Sequence, residues 1–158
     1  MSRASGYAAA TMTVTLTEAL TINSKDYGST QSFTIASIAN VNRRITTVTT
    51  TEASIMTFST AMGPGQYIPG KVRYMRFTNL DDTNFVILTF ANEDDDEAAI
   101  KLDAGNSFVL VGDNSGGMVD VLDAKDSALT YSLGDLKSIT ADADTGSCDL
   151  EIFVAEVA

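Results

Sequence analysis

Residues 71–90, KVRYMRFTNLDDTNFVILTF, constrain the fold more than any other stretch. Two runs rich in Val, Ile, Tyr, Phe and Thr flank a polar centre, Asn79-Leu80-Asp81-Asp82-Thr83-Asn84. β-Branched and aromatic side chains fit a pleated surface, while Asn and Asp turn a chain by bonding their own backbone. The segment predicts a β-hairpin, or two strands joined by a short loop. Both faces of residues 85–90 are apolar, with Phe85 and Ile87 on one and Val86, Leu88 and Phe90 on the other. That is the pattern of a strand covered on both sides.

Period-two alternation recurs along the chain. Met12, Val14, Leu16, Leu20 and Ile22 share one face of residues 12–22, with Thr13, Thr15, Thr17 and Thr21 on the other. With a second strand over 31–38, this predicts a long hairpin extending from the main body. Further strands are expected at 43–51, 55–60, 99–102, 107–111, 118–122, 129–133, 136–140 and 148–157. Residues 61–70 hold both prolines and form a loop; residues 120–128 offer one helical turn at most. The expectation is an all-β, antiparallel β-sandwich, jelly-roll-like and compact as one unit. It divides into an arm (1–11), a hairpin and strand region (12–60) and the main sandwich (71–158). Val14, Leu16, Tyr74, Phe85, Ile87, Leu110, Leu150 and Ile152 are the expected core residues.

A chain of 158 residues suits one domain able to bury a core without disulfide or metal. It has one cysteine and no histidine. That excludes a disulfide within one chain, Cys/His zinc sites and every Ser-His or Cys-His nucleophile. Enzymatic function is therefore disfavoured, and no cofactor is expected. Cys148 alternates with Leu150, Ile152 and Val154 and reads as a small buried hydrophobe. The acidic stretch 142–149 lacks the full ligand spacing of a calcium loop and reads as a solvated turn, and in 93–97 adjacent carboxylates point in different directions, as in a solvated loop. Residues 112–117 are Gly-rich without the lysine of a phosphate loop, and also read as a turn. Tyr7, Tyr27, Tyr67 and Tyr74 are scattered and Trp is absent, which speaks against a sugar-stacking platform. The start of the chain has no apolar core of a signal peptide, and no run reaches membrane-spanning length, so a cytoplasmic product with no membrane partner is expected.

Charge is unevenly spread. Residues 1–80 carry seven basic and three acidic groups, whereas residues 81–158 carry three basic and 18 acidic ones. The acidic half disfavours nucleic acid as a partner. Opposed basic and acidic surfaces suit contacts between proteins, where complementarity fixes register. The polar residues 2–10 cannot build a core, so a neighbouring surface is expected to hold them. Ser2, Arg3 and Tyr7 of the arm, with Arg43, Arg44, Arg73 and Arg76, are the candidate partner-contact residues.

The strand Arg73-Tyr-Met-Arg-Phe77, the turn Asn79-Leu-Asp-Asp-Thr-Asn-Phe85 and the stretch Leu102-Asp-Ala-Gly-Asn-Ser-Phe-Val-Leu110 resemble small β-sandwich virion proteins of tailed bacteriophages, in particular capsid decoration (cement) proteins. The resemblance implies a non-enzymatic structural protein of the virion, assembled in the host cytoplasm. It also implies a homo-oligomer, with a trimer favoured, seated on the major capsid protein through an N-terminal arm or lower face. The rival readings are a tail, head–tail connector or fibre component and, from another class, a carbohydrate-binding module or adhesin.

Overall fold

The structure, a computed structural model, describes residues 8–119, 121–122 and 133–158. It is all-β, with no helix among the described residues. In chain order the strands are β1 (Ala10–Glu18), β2 (Thr21–Ile22), β3 (Lys25–Asp26), β4 (Ser29–Val48), β5 (Ala53–Phe58) and β6 (Gln66–Tyr67). There follow β7 (Val72–Asn79), β8 (Val86–Asn92), β9 (Glu97–Leu102), β10 (Ser107–Val111), β11 (Leu136–Ala143) and β12 (Cys148–Val157). The first sheet runs β1-β4-β12-β7-β10 and the second β6-β5-β11-β8-β9, while β2 and β3 form a small ribbon. All pairings are antiparallel except β5 with β6.

The pairing has a simple logic. Apart from β1–β3 and β6, the first half of the chain folds back on the second: β4 pairs β12, β5 pairs β11, β7 pairs β10 and β8 pairs β9. This doubled ribbon is then rolled, so that β12 also pairs β7 and β11 also pairs β8. Both sheets thus draw strands from either side of the loop at 61–70.

Alternation sets the core. Cys148, Leu150, Ile152 and Val154 of β12 point inward and are at most 1% exposed. They meet Val86, Leu88 and Phe90 of β8 and Met56 of β5 in the main cluster. Phe77 and Phe90 stack edge to face across the two sheets, 6.2 Å between centroids, and Phe90 reaches Phe108 at 5.6 Å. Such pairs contribute beyond their buried area. Of the expected core residues, Tyr74, Leu150 and Ile152 are buried, whereas Val14, Phe85, Ile87 and Leu110 are half-buried.

Several expectations need correction. Of the two readings of residues 71–90 the second holds: β7 and β8 are two strands joined by a short loop, which crosses the sandwich because they lie in different sheets. The buried Asn79 carboxamide organises that loop, donating to Asn84 O at 2.9 Å and Leu102 O at 3.2 Å. Residues 12–22 are not one strand. β1 stops at Glu18, and Asn23 and Ser24, at φ 51° and 64°, make the tight turn that closes β2 on β3. Residues 31–38 and 43–48 do not form two strands but belong to the single twenty-residue β4, and residues 49–51, expected to extend the second, lie beyond its end. Ser37, at φ 62°, absorbs the irregularity where β1's register shifts. Leu16 is 63% exposed instead of buried, because that part of the hairpin has run past the sandwich. Among the described residues of 118–122 the only bridge is that of Leu122 with Gly134, so no strand forms there. Residues 1–7, the helical turn expected within 120–128 and most of the strand expected at 129–133 lie outside the described residues.

Candidate partner-binding surface

β1 and the first half of β4 form a two-stranded arm tipped by β2 and β3. Its cross-strand pairs include Met12 with Ile35 and Val14 with Phe33. At the base this apolar face packs on the outer side of the first sheet, where Met12, Val14 and Ile35 join Tyr74, Phe153 and Ala155. Burial there raises the Tyr74 hydroxyl pKa. Towards the tip the same face loses its cover: Leu16, Leu20, Ile22, Tyr27 and Phe33 are 44–63% exposed. A two-stranded ribbon is marginal in water unless its apolar side is covered.

The registers fix the rest of this outer face. One row across the sheet reads Val41, Ala155, Tyr74, Val111; the next reads Arg43, Phe153, Arg76, Val109. In the third row Glu151 sits between Ile45 and Thr78. The Glu151 carboxylate is clamped on both sides. Arg43 donates through Nε and Nη2 to Oε2 at 2.9 and 2.7 Å, and Arg76 Nη2 donates to Oε1 at 2.6 Å. These bonds, those from Arg43 foremost, hold the Glu151 carboxyl below the usual glutamate range. The Arg76 guanidinium also lies 5.9 Å from the Phe153 ring centroid, and that ring meets Tyr74 edge-on at the same separation. Two guanidiniums around one carboxylate leave this face locally positive, amid exposed Val41, Ile45, Val109 and Val111.

The second sheet is different. Among the described residues, every strand residue that is a large, exposed hydrophobic belongs to the arm or the first sheet, and none to β5, β6, β8, β9 or β11. Lys101 covers Phe85 at 4.4 Å from the ring centroid. The acidic loop after β8 is wrapped around Asn92, whose Oδ1 accepts from the Asp94 and Asp96 amides at 3.1 and 2.8 Å. Lys137 pairs with Asp95. Near 142–149, Thr145 donates to Asn84 Oδ1 at 3.0 Å and Thr47 donates to Asp149 Oδ1 at 2.9 Å. Among the described residues no three carboxylates or soft ligands converge on a common point. Cys148 is buried, and burial pushes its thiol pKa up. In the Gly-rich turn, Asp113 Oδ2 accepts from Ser115 Oγ at 2.7 Å and from the Gly116 amide at 3.1 Å.

The structure sorts the four candidate arginines into two kinds. Arg43 and Arg76 lie together on the outer face around Glu151. Arg44, next along β4, points the other way and donates to Ile55 O. Arg73 is 8% exposed and donates to Gly70 O at 2.6 Å. Ser2, Arg3 and Tyr7 lie outside the described residues. The outer-face roles of Glu151, Phe153, Val41 and Ile45 are additions to the sequence reading. Alternation alone puts Glu151 and Phe153 opposite Leu150 and Ile152; the strand order that sets Arg43 and Arg76 on either side of Glu151 has no local signal. No known protein family, no curated protein and no solved structure matches this chain.

Proposed function

We propose that this chain is a non-enzymatic structural protein of a virion, decorating and stabilising a phage capsid by lying on the major capsid protein. Its sandwich is read as a jelly roll, since the eight body strands pair first with last, inward to β8 with β9, and fill two four-stranded halves. The observation that carries the functional reading is one-sidedness. Exposed apolar strand residues and the Arg43–Glu151–Arg76 cluster gather on the arm and first sheet, while among the described residues no strand of the second sheet exposes a large hydrophobic side chain. A water-facing antiparallel sheet is ordinarily polar on its outer side, and contiguous exposed apolar surface marks a docking side. A decorating protein needs that division, with one side on the shell and the other in water. In this reading the protein works as a homo-oligomer, with a trimer favoured, and needs no cofactor, nucleic acid or membrane.

Cryo-electron microscopy of particles assembled with this chain tests the proposal. Density at regular lattice positions, with the first sheet towards the shell, is the expected result. Density confined to a tail, connector or fibre would replace it with the rival structural reading. Binding to glycans with no particle association would favour an adhesin.

A further inference from the structure

Three irregularities of strand pairing meet at the foot of the arm. β7 pairs Tyr74 with Ala155 and then Val72 with Glu156, so Arg73 has no opposite residue in β12. β12 pairs Glu156 with Asn40 and Val157 with Ile38, which passes over Ala39. β4 sets Ala36 and Ser37 against the single residue Thr11 of β1. Bulges of this kind re-aim side chains and recur beside functional sites. Here Arg73 lines a cleft of about 450 Å³ together with Thr34, Ile35, Ser37, Asn114 and Val157.

Arg73 is built into the fold. It is 8% exposed, its Nη1 donates to Gly70 O at 2.6 Å, and its Nη2 reaches Ser115 O at 3.5 Å. Gly117, at φ 67°, makes the space, since a Cβ there would lie 2.5 Å from Arg73 Nη1. Two main-chain carbonyls leave other guanidinium donors unspent and neutralise none of its charge. No carboxylate among the described residues lies within ion-pair distance of it. Asp113, beside the cleft in sequence, spends Oδ2 on Ser115 and Gly116. None of the residues lining the cleft is acidic, in a chain with 21 acidic residues. Burying a cation without a counter-charge is costly, and an anion seated on it offsets that cost.

We propose that this cleft is a carboxylate-binding site, taking an aspartate or glutamate side chain of a protein partner. The planar fork of an arginine matches a carboxylate through two parallel hydrogen bonds. Thr34, Ser37 and Asn114 bring hydroxyl and carboxamide donors to the same cleft, and Ile35 and Val157 bring apolar wall for the stem of the side chain. The cleft is larger than a carboxylate alone, which leaves room for the chain that carries it. A polyanion is a poor ligand, because a net charge of −11 repels it. The proposal concerns the isolated chain and does not rest on the capsid reading.

Amide-resolved NMR of the full chain, titrated with the blocked peptide acetyl-Gly-Glu-Gly-amide at constant ionic strength, tests the site. Saturable shifts centred on residues 34–37, 73 and 112–117 are expected, with the peptide binding more tightly than sodium acetate. The matching glutamine peptide should give none. Arg73→Lys keeps the charge but loses the fork, so it should weaken peptide binding at least about tenfold with an unchanged circular dichroism spectrum. Thr34→Val and Asn114→Ala, at exposed positions, should each weaken it a few-fold, and they carry the test if Arg73→Lys does not fold. Absence of saturable shifts, or equal binding of the glutamine peptide, would overturn the proposal. So would binding that all three substitutions leave unchanged. Acetate binding more tightly than the peptide would overturn the protein partner in favour of a small free carboxylate.

Discussion

The two sheets share one core but treat water differently. The second sheet turns Ala99, Lys101 and Asp142 outward and ends in the carboxylate-rich loop at 93–97, which its own Asn92 organises. The first sheet turns Val41, Ile45, Val109 and Val111 outward and extends into an arm that covers little of its own apolar surface. Interior packing does not account for this, because both sheets bury most of their inner faces in one shared core. The outer face of the first sheet must answer to something other than folding.

Paired truncations separate those two demands most strongly. Leu150 is fully buried between the sheets, so Leu150→Ala should cost about 2–5 kcal/mol in chemical denaturation. Leu16→Ala, on the exposed arm, should stay within about 0.5 kcal/mol in the isolated chain. A large loss from Leu16→Ala would mean that the arm is folded into the core and the comparison is wrong.

Two glutamates of β12, on opposite faces of the first sheet, sharpen it further. Glu151 lies outside, its carboxyl held below the ordinary value of 4.5 by Arg43 and Arg76. The stability it contributes is present above that value and is lost as pH falls through the depressed folded value. Glu156 points inward, 1% exposed, with Oε2 accepting from Asn40 Nδ2 at 2.9 Å and no hydrogen-bond partner for Oε1 among the described residues. Burial raises its pKa, against the opposing pull of Asn40 and Lys71. Its favourable contribution therefore holds below 4.5 and is lost as pH rises through the raised folded value. In thermal melts, Glu151→Gln should lower the melting temperature at pH 7 by a few degrees and flatten the acid limb. Glu156→Gln should raise it slightly and flatten the opposite limb. Equal effects of the two substitutions would remove the distinction between the clamped outer carboxylate and the buried inner one.

How legible this was differs by element. β10 and β12 have the predicted ends, because Gly, Asn and Asp bracket clean alternations at 107–111 and 148–157. β4 was not legible as one strand. Its polar residues 39–42 separate the strands expected at 31–38 and 43–51, and the alternation slips at Ser37, where backbone geometry changes the register. The crossing at 80–85 was ambiguous for a related reason: Asn and Asp turn chemistry looks alike in a hairpin and in a loop between sheets. The four arginines were grouped together as partner contacts because sequence spacing hides orientation, yet neighbours in a strand face opposite ways. The arm's exposure was hidden as well, since Met12, Val14 and Leu16 alternate alike although the body covers only the first two.

Smaller effects concern attachment. Removing residues 1–9, ahead of β1, should leave the circular dichroism spectrum intact and reduce occupancy on shells; full occupancy would exclude that segment as an anchor. Raising salt should weaken attachment modestly, as the Arg43 and Arg76 side chains are partly exposed and screened.

One measurement tests the one-sided account most directly: shell occupancy of two lysine variants that fold equally well. Val109→Lys, Val111→Lys places charge on the outer face of the first sheet, and Ala99→Lys places it on the outer face of the second. Loss of occupancy for the first variant, with wild-type occupancy for the second, is the predicted result. Equal occupancy for both, or a loss confined to Ala99→Lys, would contradict it.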